Sequence, residues 1–205
     1  MIPPAEVTEK WSAEQVLEWG LRRFFGRISL ASSFQAEESV IIDGCAEAGR
    51  VLREAAGTSV RYVLQTNGHS DHVQALPELK AKLGVPVGVH PADAEMLPVA
   101  VDFFLNDGDT LSFGRQSLKV LHTPGHTPGG VCFLLGRHLF SGDTLFPGGP
   151  GNTWGDKVRF AQIIEAIRSK LFVLPDDTVV YPGHGADTTI GRERPHLDEW
   201  IARGW

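Results

Sequence analysis

Apolar positions along the chain change period several times, and each change predicts an element. Ser12-Ala13-Glu14-Gln15 has the spacing of a capping box, and Val16, Leu17, Leu21, Phe24 and Phe25 then recur on one helical face until Gly26. Arg27 to Ser32 and Ser39 to Ile42 are strand-like runs that can pair as a hairpin. Ala46 to Ala56, closed by Gly57, reads as a helix, Val60 to Leu64 as a buried strand, Val73 to Leu83 as a second helix, and Val85 to Val89 as another strand. The rhythm then shifts to hairpins. Thr110 to Phe113, Ser117 to His122, Val131 to Leu135 and His138 to Ser141 are short strands separated by turn residues such as Gly114-Arg115 and Gly136-Arg137. Lys157 to Leu171 returns to a helical period, Thr178 to Tyr181 is a strand, and Gly191 to Arg203 is a closing helix. Strands with helices interleaved in both halves predict an α/β (α+β) fold in which two sheets pack together with helices outside, a four-layer αββα sandwich.

Four of the expected strands end in loops that carry metal-ligand side chains beside glycine or proline. The first is Gln65-Thr66-Asn67-Gly68-His69-Ser70-Asp71-His72; the others are His122 to Gly129, which contains His126, Phe140 to Thr144, which contains Asp143, and Tyr181 to Gly185, which contains His184. Glycine and proline make tight turns there, so side chains from several loops can converge on one cleft. Two imidazoles and a carboxylate within four residues cannot all face one way, so His69 can serve one ion while Asp71 and His72 serve a neighbour. A single short loop of this kind arises by chance, but an ordered set of four rarely does. His90, His122, His138 and His196 fall outside these motifs and are expected to be surface or core histidines.

Composition narrows the function classes. With 205 residues, 42% hydrophobic and 21% charged, the chain suits one well-buried domain, taken here as residues 1–205 with an atypical segment at 1–43. The formal net charge of -6 and the lack of a Lys/Arg block give no footprint for nucleic acid or an anionic membrane surface. A small-molecule substrate is therefore the expected partner. No run approaches the roughly 18 apolar residues of a membrane span, and the polar, acidic start of the chain is unlike a signal peptide; a cytoplasmic address is expected. Cys45 and Cys132 lie outside any CxxC pattern and are expected to be buried small hydrophobes.

From about Asp43 onward the ordered loops resemble the metallo-β-lactamase superfamily, particularly its small glyoxalase II-like hydrolases, whose HxHxDH loop is followed by single His, Asp and His ligands. The resemblance implies that His69 and His126 hold a first metal, that Asp71, His72 and His184 hold a second, and that Asp143 bridges them. It also implies Asp71 as the catalytic group that orients the attacking hydroxide or takes its proton. The implied reaction is hydrolysis of a thioester or other activated ester or lactone by metal-bound hydroxide. Nitrogen and oxygen ligands without thiolates suit Zn²⁺, while Fe or Mn also accept such a set.

Two features depart from that pattern. Asn67 stands where the first histidine is expected, and a carboxamide oxygen is a much weaker ligand than an imidazole nitrogen. One tight Zn²⁺ site and a second, weaker or partly occupied site that includes Asn67 are therefore expected. One subclass of metallo-β-lactamases is similar in carrying asparagine there and works with one metal, which keeps a single-zinc β-lactam hydrolase as an alternative. A non-catalytic metal-binding scaffold with an impaired first site is another. The second departure is Trp11 to about Asp43, especially Leu30 to Glu38, which resembles the opening of adenylylsulfate/phosphoadenylylsulfate reductases. The nucleotide-binding domain and catalytic cysteine that such enzymes need are not found in this sequence, so the segment is read as scaffold. The Gly/Pro-rich loop Phe146 to Asp156 is expected to line the substrate pocket, with Trp154 as a wall.

Overall fold

Alternation along the strands sorts the apolar side chains into three layers, and these layers define the architecture. The computed structural model describes residues 29–33, 38–44 and 48–204, the first of these as backbone only. The helix expected after Ser12, most of the reductase-like segment and Cys45 lie outside the described residues.

One sheet has five strands in the order β1 (Ser29–Ser33), β2 (Glu38–Ile42), β3 (Ser59–Leu64), β4 (Val87–Val89) and β5 (Phe103–Phe104). The β1–β2 pair is the expected antiparallel hairpin, and β2 to β5 run parallel. Helix α1 (Ala48–Glu54) lies between β2 and β3 in the chain, and α2 (Ser70–Val73) and α3 (Leu76–Leu83) lie between β3 and β4. The second sheet contains β6 (Thr110–Phe113), β7 (Gln116–His122), β8 (Val131–Leu135) and β9 (His138–Gly142) as an antiparallel meander. A small hairpin, β10 (Leu145–Phe146) with β11 (Gly149–Pro150), and helix α4 (Lys157–Ala166) follow. Strand β12 (Val179–Pro182) then joins β9 in parallel, β13 (Thr188–Thr189) closes that edge, and α5 (Ile190–Glu193) and α6 (Leu197–Arg203) end the described chain.

Between the sheets, Val40, Ile42 and Leu64 meet Leu118, Val120, Phe133 and Phe140 in one buried cluster. The alternate residues Ile41 and Val63 face outward onto Val51, Leu76 and Leu79 of the first helical layer. In the second sheet Leu121, Cys132, Leu139 and Val180 face outward onto Ile163, Ile164, Ile167 and Trp200. This is the αββα sandwich that the period changes predict. Each buried Val, Leu, Ile or Phe contributes about 1.5–3 kcal/mol to its stability.

Two expected helices are broken, and proline is the reason in both. Val73 to Leu83 splits at Gln74, because Pro77 offers no N–H and its ring crowds the carbonyl of Val73. The closing helix is interrupted by a 3₁₀ turn at Arg194–His196 around Pro195. Lys157 to Leu171 continues as expected, but its last turn, Ile167–Leu171, widens to a π-helix. The short β5, β10, β11 and β13 carry too few residues for a readable period. Cys132 is fully buried, as expected, and burial pushes its thiol up to about 11, which leaves it inert.

Phe133, fully buried between the sheets, and Phe104, 54% exposed on the edge strand, provide a test. Phe133→Ala should cost about 3–5 kcal/mol in denaturant unfolding, and Phe104→Ala less than about 0.5 kcal/mol.

Candidate metal centre

In a parallel pair, neighbouring strands deliver their carboxyl ends to the same edge. Here β2 ends at Asp43 beside the end of β3, where Gln65 to His72 begins. The second sheet brings His126, Asp143 and His184 to that edge from the ends of β7, β9 and β12. The two sheets touch there. A Cβ on Gly142, the residue before Asp143, would lie 2.5 Å from Thr66 Cβ, and Gly142 has a φ of +48°. Only glycine allows both the approach and the left-handed turn.

The side chains form two groups that share one carboxylate: Asp71, His72, Asp143 and His184 in one, and His69, His126 and Asp143 in the other. Within each, one ligand atom per residue lies within 4.8 Å of all the rest. His69 Nδ1 is 2.9 Å from His126 Nε2, and Asp143 Oδ2 is 3.2 Å from His126 Nε2 and 3.1 Å from His72 Nε2. On the other side His184 Nε2 is 2.9 Å from Asp71 Oδ2 and 3.7 Å from Asp143 Oδ1. Asp143 Oδ1 is buried without a hydrogen-bond partner. A buried carboxylate oxygen without a hydrogen bond, facing imidazole nitrogens, fits a cation.

Other contacts orient these ligands. Asp43 accepts the Thr66 backbone N–H on Oδ1 and the Thr66 hydroxyl on Oδ2, and its Oδ2 is 2.9 Å from His72 Nδ1. That leaves His72 Nε2 aimed at Asp143. His126 Nδ1 donates to the Asn152 carbonyl at 3.0 Å, which turns its Nε2 to His69 and Asp143 in the same way. Arg159 donates to the carbonyls of Gly125 and His126 and lies 4.9 Å from the Trp154 ring centre.

The charges follow from these contacts. Burial pushes the His72 pKa down, but Asp43 and Asp143 outweigh it and raise it from 6.5 to about 11. Burial pushes Asp143 up, but hydrogen bonds from His126 and His72 hold it well below the usual carboxylate range. His69 is lowered by burial and then by the charge of His126, which favours the neutral imidazole that binds metals.

All the motif ligands anticipated from sequence, His69, Asp71, His72, His126, Asp143 and His184, converge in these groups. Asn67 takes a different place. Its Oδ1 accepts the His69 backbone N–H at 2.9 Å and its Nδ2 is 3.4 Å from Thr66 Oγ1, so both ends of the carboxamide brace the loop. His90 and His122 stack with ring centres 4.0 Å apart, His138 Nδ1 is 3.0 Å from the Tyr181 hydroxyl, and His196 pairs with Glu199. None of the four joins either ligand group. Trp154 is 57% exposed, with its ring centre 5.1 Å from that of His126 and 5.6 Å from that of His69. Asp43, Asn152 and Asp93 were not singled out as site residues from sequence. Asp43 alone leaves a local signal there, a carboxylate directly after the strand-like run Ser39 to Ile42.

The profile of the metallo-beta-lactamase superfamily matches residues 34–184, most of the chain. The chain belongs to that superfamily. Among curated relatives, the hydroxyacylglutathione hydrolase GloC of Haemophilus influenzae is 36% identical over 180 residues, covering 77% of this chain and 85% of that protein. The mitochondrial persulfide dioxygenase ETHE1 of Homo sapiens is 30% identical over 175 residues, covering 80% and 67%. Among solved structures, the di-iron-bound form of TTHA1623 superposes with a TM-score of 0.70 at 32% identity, covering 82% and 91%. Members of this superfamily thus include hydrolases and a dioxygenase, and the His/Asp donor set here is that of a metal-binding member. Among the described residues no helix is long and apolar enough to cross a membrane.

Two outcomes follow from the site. Metal titration should resolve one tight ion and one at least about tenfold weaker, with Asn67→His strengthening the weaker; two equally tight ions would contradict this. In the metal-free protein the paired His72 stabilises the fold fully below pH 6.5, and that contribution is lost as pH rises through about 11. An ion binding His72 displaces that proton, so calorimetry at pH 8 in buffers of differing ionisation enthalpy should show release of about one proton that Asp43→Asn diminishes.

Proposed function

We propose that the chain is a metal-dependent hydrolase of a thioester or another activated ester or lactone. The observation that carries this reading is the pair of ligand groups joined through Asp143, with Asp71 reaching solvent at their rim. The Asp71 side chain is 51% exposed while those of His72 and Asp143 are 3% and 7% exposed, so it is the carboxylate that an incoming molecule meets. The identity with GloC over 85% of that hydrolase supports the same class.

Divalent ions at such ligands supply a Lewis acid for a carbonyl oxygen and lower the pKa of water toward about 7. The residues of the chain do the rest. Asp71, with His184 2.9 Å from its Oδ2, is placed to orient a water and accept its proton. Asp143 holds the two groups at a common edge, and Asp43 and the Asn152 carbonyl keep His72 and His126 turned inward. The exposed Trp154 offers an apolar wall on the His69 side. A thiolate leaving group is already a stable anion and needs little acid assistance, so a site whose exposed rim is a carboxylate suits a thioester. Zn²⁺ fits the donor set, and iron fits it as well.

A second reading, oxidation of a persulfide, is favoured by one observation. His69, His126 and Asp143 form a two-histidine, one-carboxylate group of the kind that holds non-haem iron, and human ETHE1 is a relative. Against it, Asn67 stands where the superfamily pattern has its first histidine, so one nitrogen donor for an iron is missing.

Protein loaded separately with Zn²⁺ and Fe²⁺ should be assayed on acyl thioesters, lactones, a β-lactam, and a persulfide under oxygen-electrode recording. Thioester or lactone turnover is expected to be fastest, with Asp71→Asn lowering kcat at least about 10²-fold. Faster oxygen uptake on the persulfide would establish the second reading, and faster β-lactam cleavage the single-zinc alternative. No turnover by metal-saturated protein would leave a binding scaffold.

A further inference from the structure

We propose that Asp93, outside both ligand groups, is the positioning residue that sets the spacing of His69 and His126 and thereby controls ion binding at that pair. The inference rests on the reading that these groups hold ions, and not on which substrate is turned over.

Asp93 lies in the 3₁₀ turn Pro91–Met96 that follows β4, and it is fully buried. Its Oδ2 accepts the backbone N–H of Gly68 at 3.1 Å and its Oδ1 accepts that of Gly129 at 2.7 Å. Gly68 immediately precedes His69, and Gly129 follows His126 by three residues. One carboxylate therefore ties the two loops whose imidazoles meet at 2.9 Å. The loops come from different sheets, and a second backbone tie between them, Val131 N–H to Thr66 O, lies at the strand end and not at the loop tips.

The chemistry requires this residue type. Two N–H donors arrive at opposite oxygens, and only a carboxylate offers an acceptor at both ends; asparagine would set an NH₂ against one of them. Two backbone N–H donors face the Asp93 carboxylate, and no Lys or Arg is paired with it among the described residues. A buried carboxylate without a cationic partner is destabilising unless hydrogen bonds compensate, so a plain structural turn would be better served by an apolar side chain. Gly129 has no side chain where the carboxylate sits: a Cβ there would lie 2.6 Å from Asp93 Cγ and 2.7 Å from Oδ1. The other group has its own brace, since His72 is held by Asp43. The two braces are separate, which makes the effect of Asp93 selective.

The test is Co²⁺ and Zn²⁺ titration of the full chain against a competing chelator, with the d–d spectrum of Co²⁺ recorded. His126→Ala and His184→Ala identify which ion belongs to which group. Asp93→Asn should keep cooperative unfolding of the metal-free protein, bind the ion at Asp71, His72 and His184 within about threefold of the parent, and lose about 10–100-fold at His69 and His126. Gly129→Ala, which pushes the loop off the carboxylate, should reproduce that selective loss if Asp93→Asn fails to fold. Equal weakening at both groups, as a general fold brace would give, or no change at either, overturns the proposal. A parent protein that binds no ion at His69 and His126 overturns it too, whereas a parent that binds both ions and hydrolyses nothing overturns only the hydrolase reading.

Discussion

The centre of this molecule depends on Asp143 being buried as a carboxylate within reach of His72 at 3.1 Å and His126 at 3.2 Å. Taking that charge out of water is strongly unfavourable unless positive charge and hydrogen bonds surround it. The lowered pKa of Asp143 reflects that compensation by His126 and His72, and the pKa of His72 is raised in turn by Asp43 and by Asp143. Protons fill the role in the metal-free protein, and ions can take it over at the same atoms. The site is thus prepared for cations by the difficulty of leaving its central carboxylate alone.

Around this centre, backbone and carboxylate contacts hold the ligand-bearing segments. Asp43 links the end of β2 to Thr66 and His72, the Asn152 carbonyl orients His126, and Asp93 ties Gly68 to Gly129. Asn67, in the position where a ligand histidine is expected, has become part of this bracing through its bond to the His69 N–H. The His69–His126–Asp143 group forms without a contribution from Asn67.

The sandwich makes such bracing possible because both sheets end at one edge. Val40, Ile42 and Leu64 pack against Phe133 and Phe140 between the sheets, and the rigid core fixes where β3 and β9 stop. Gly142 against Thr66 is the point at which the sheets meet beneath the ligands. The packed core thereby fixes the placement of the loops that carry the ligands.

Much of this was legible in the sequence. Strand alternation and helix period determine the layers, because burial of one face is a local property that each segment carries in its own pattern. The ligand types and their order, from His69 to His184, are likewise local, since each loop declares itself by a His or Asp beside Gly after an apolar strand. Two kinds of feature were not. Helices 73–83 and 191–203 are broken, the first at Gln74 just ahead of Pro77 and the second around Pro195, where one missing N–H outweighs a favourable period. The roles of Asp43 and Asp93 were decided only by the tertiary structure, because each depends on which distant backbone N–H or imidazole lies within 3 Å or so, and hydrogen bonds across 25 or 36 residues leave no periodic trace in the chain; Asn67, whose bond to the His69 N–H spans two residues, shows its bracing role only in the folded loop.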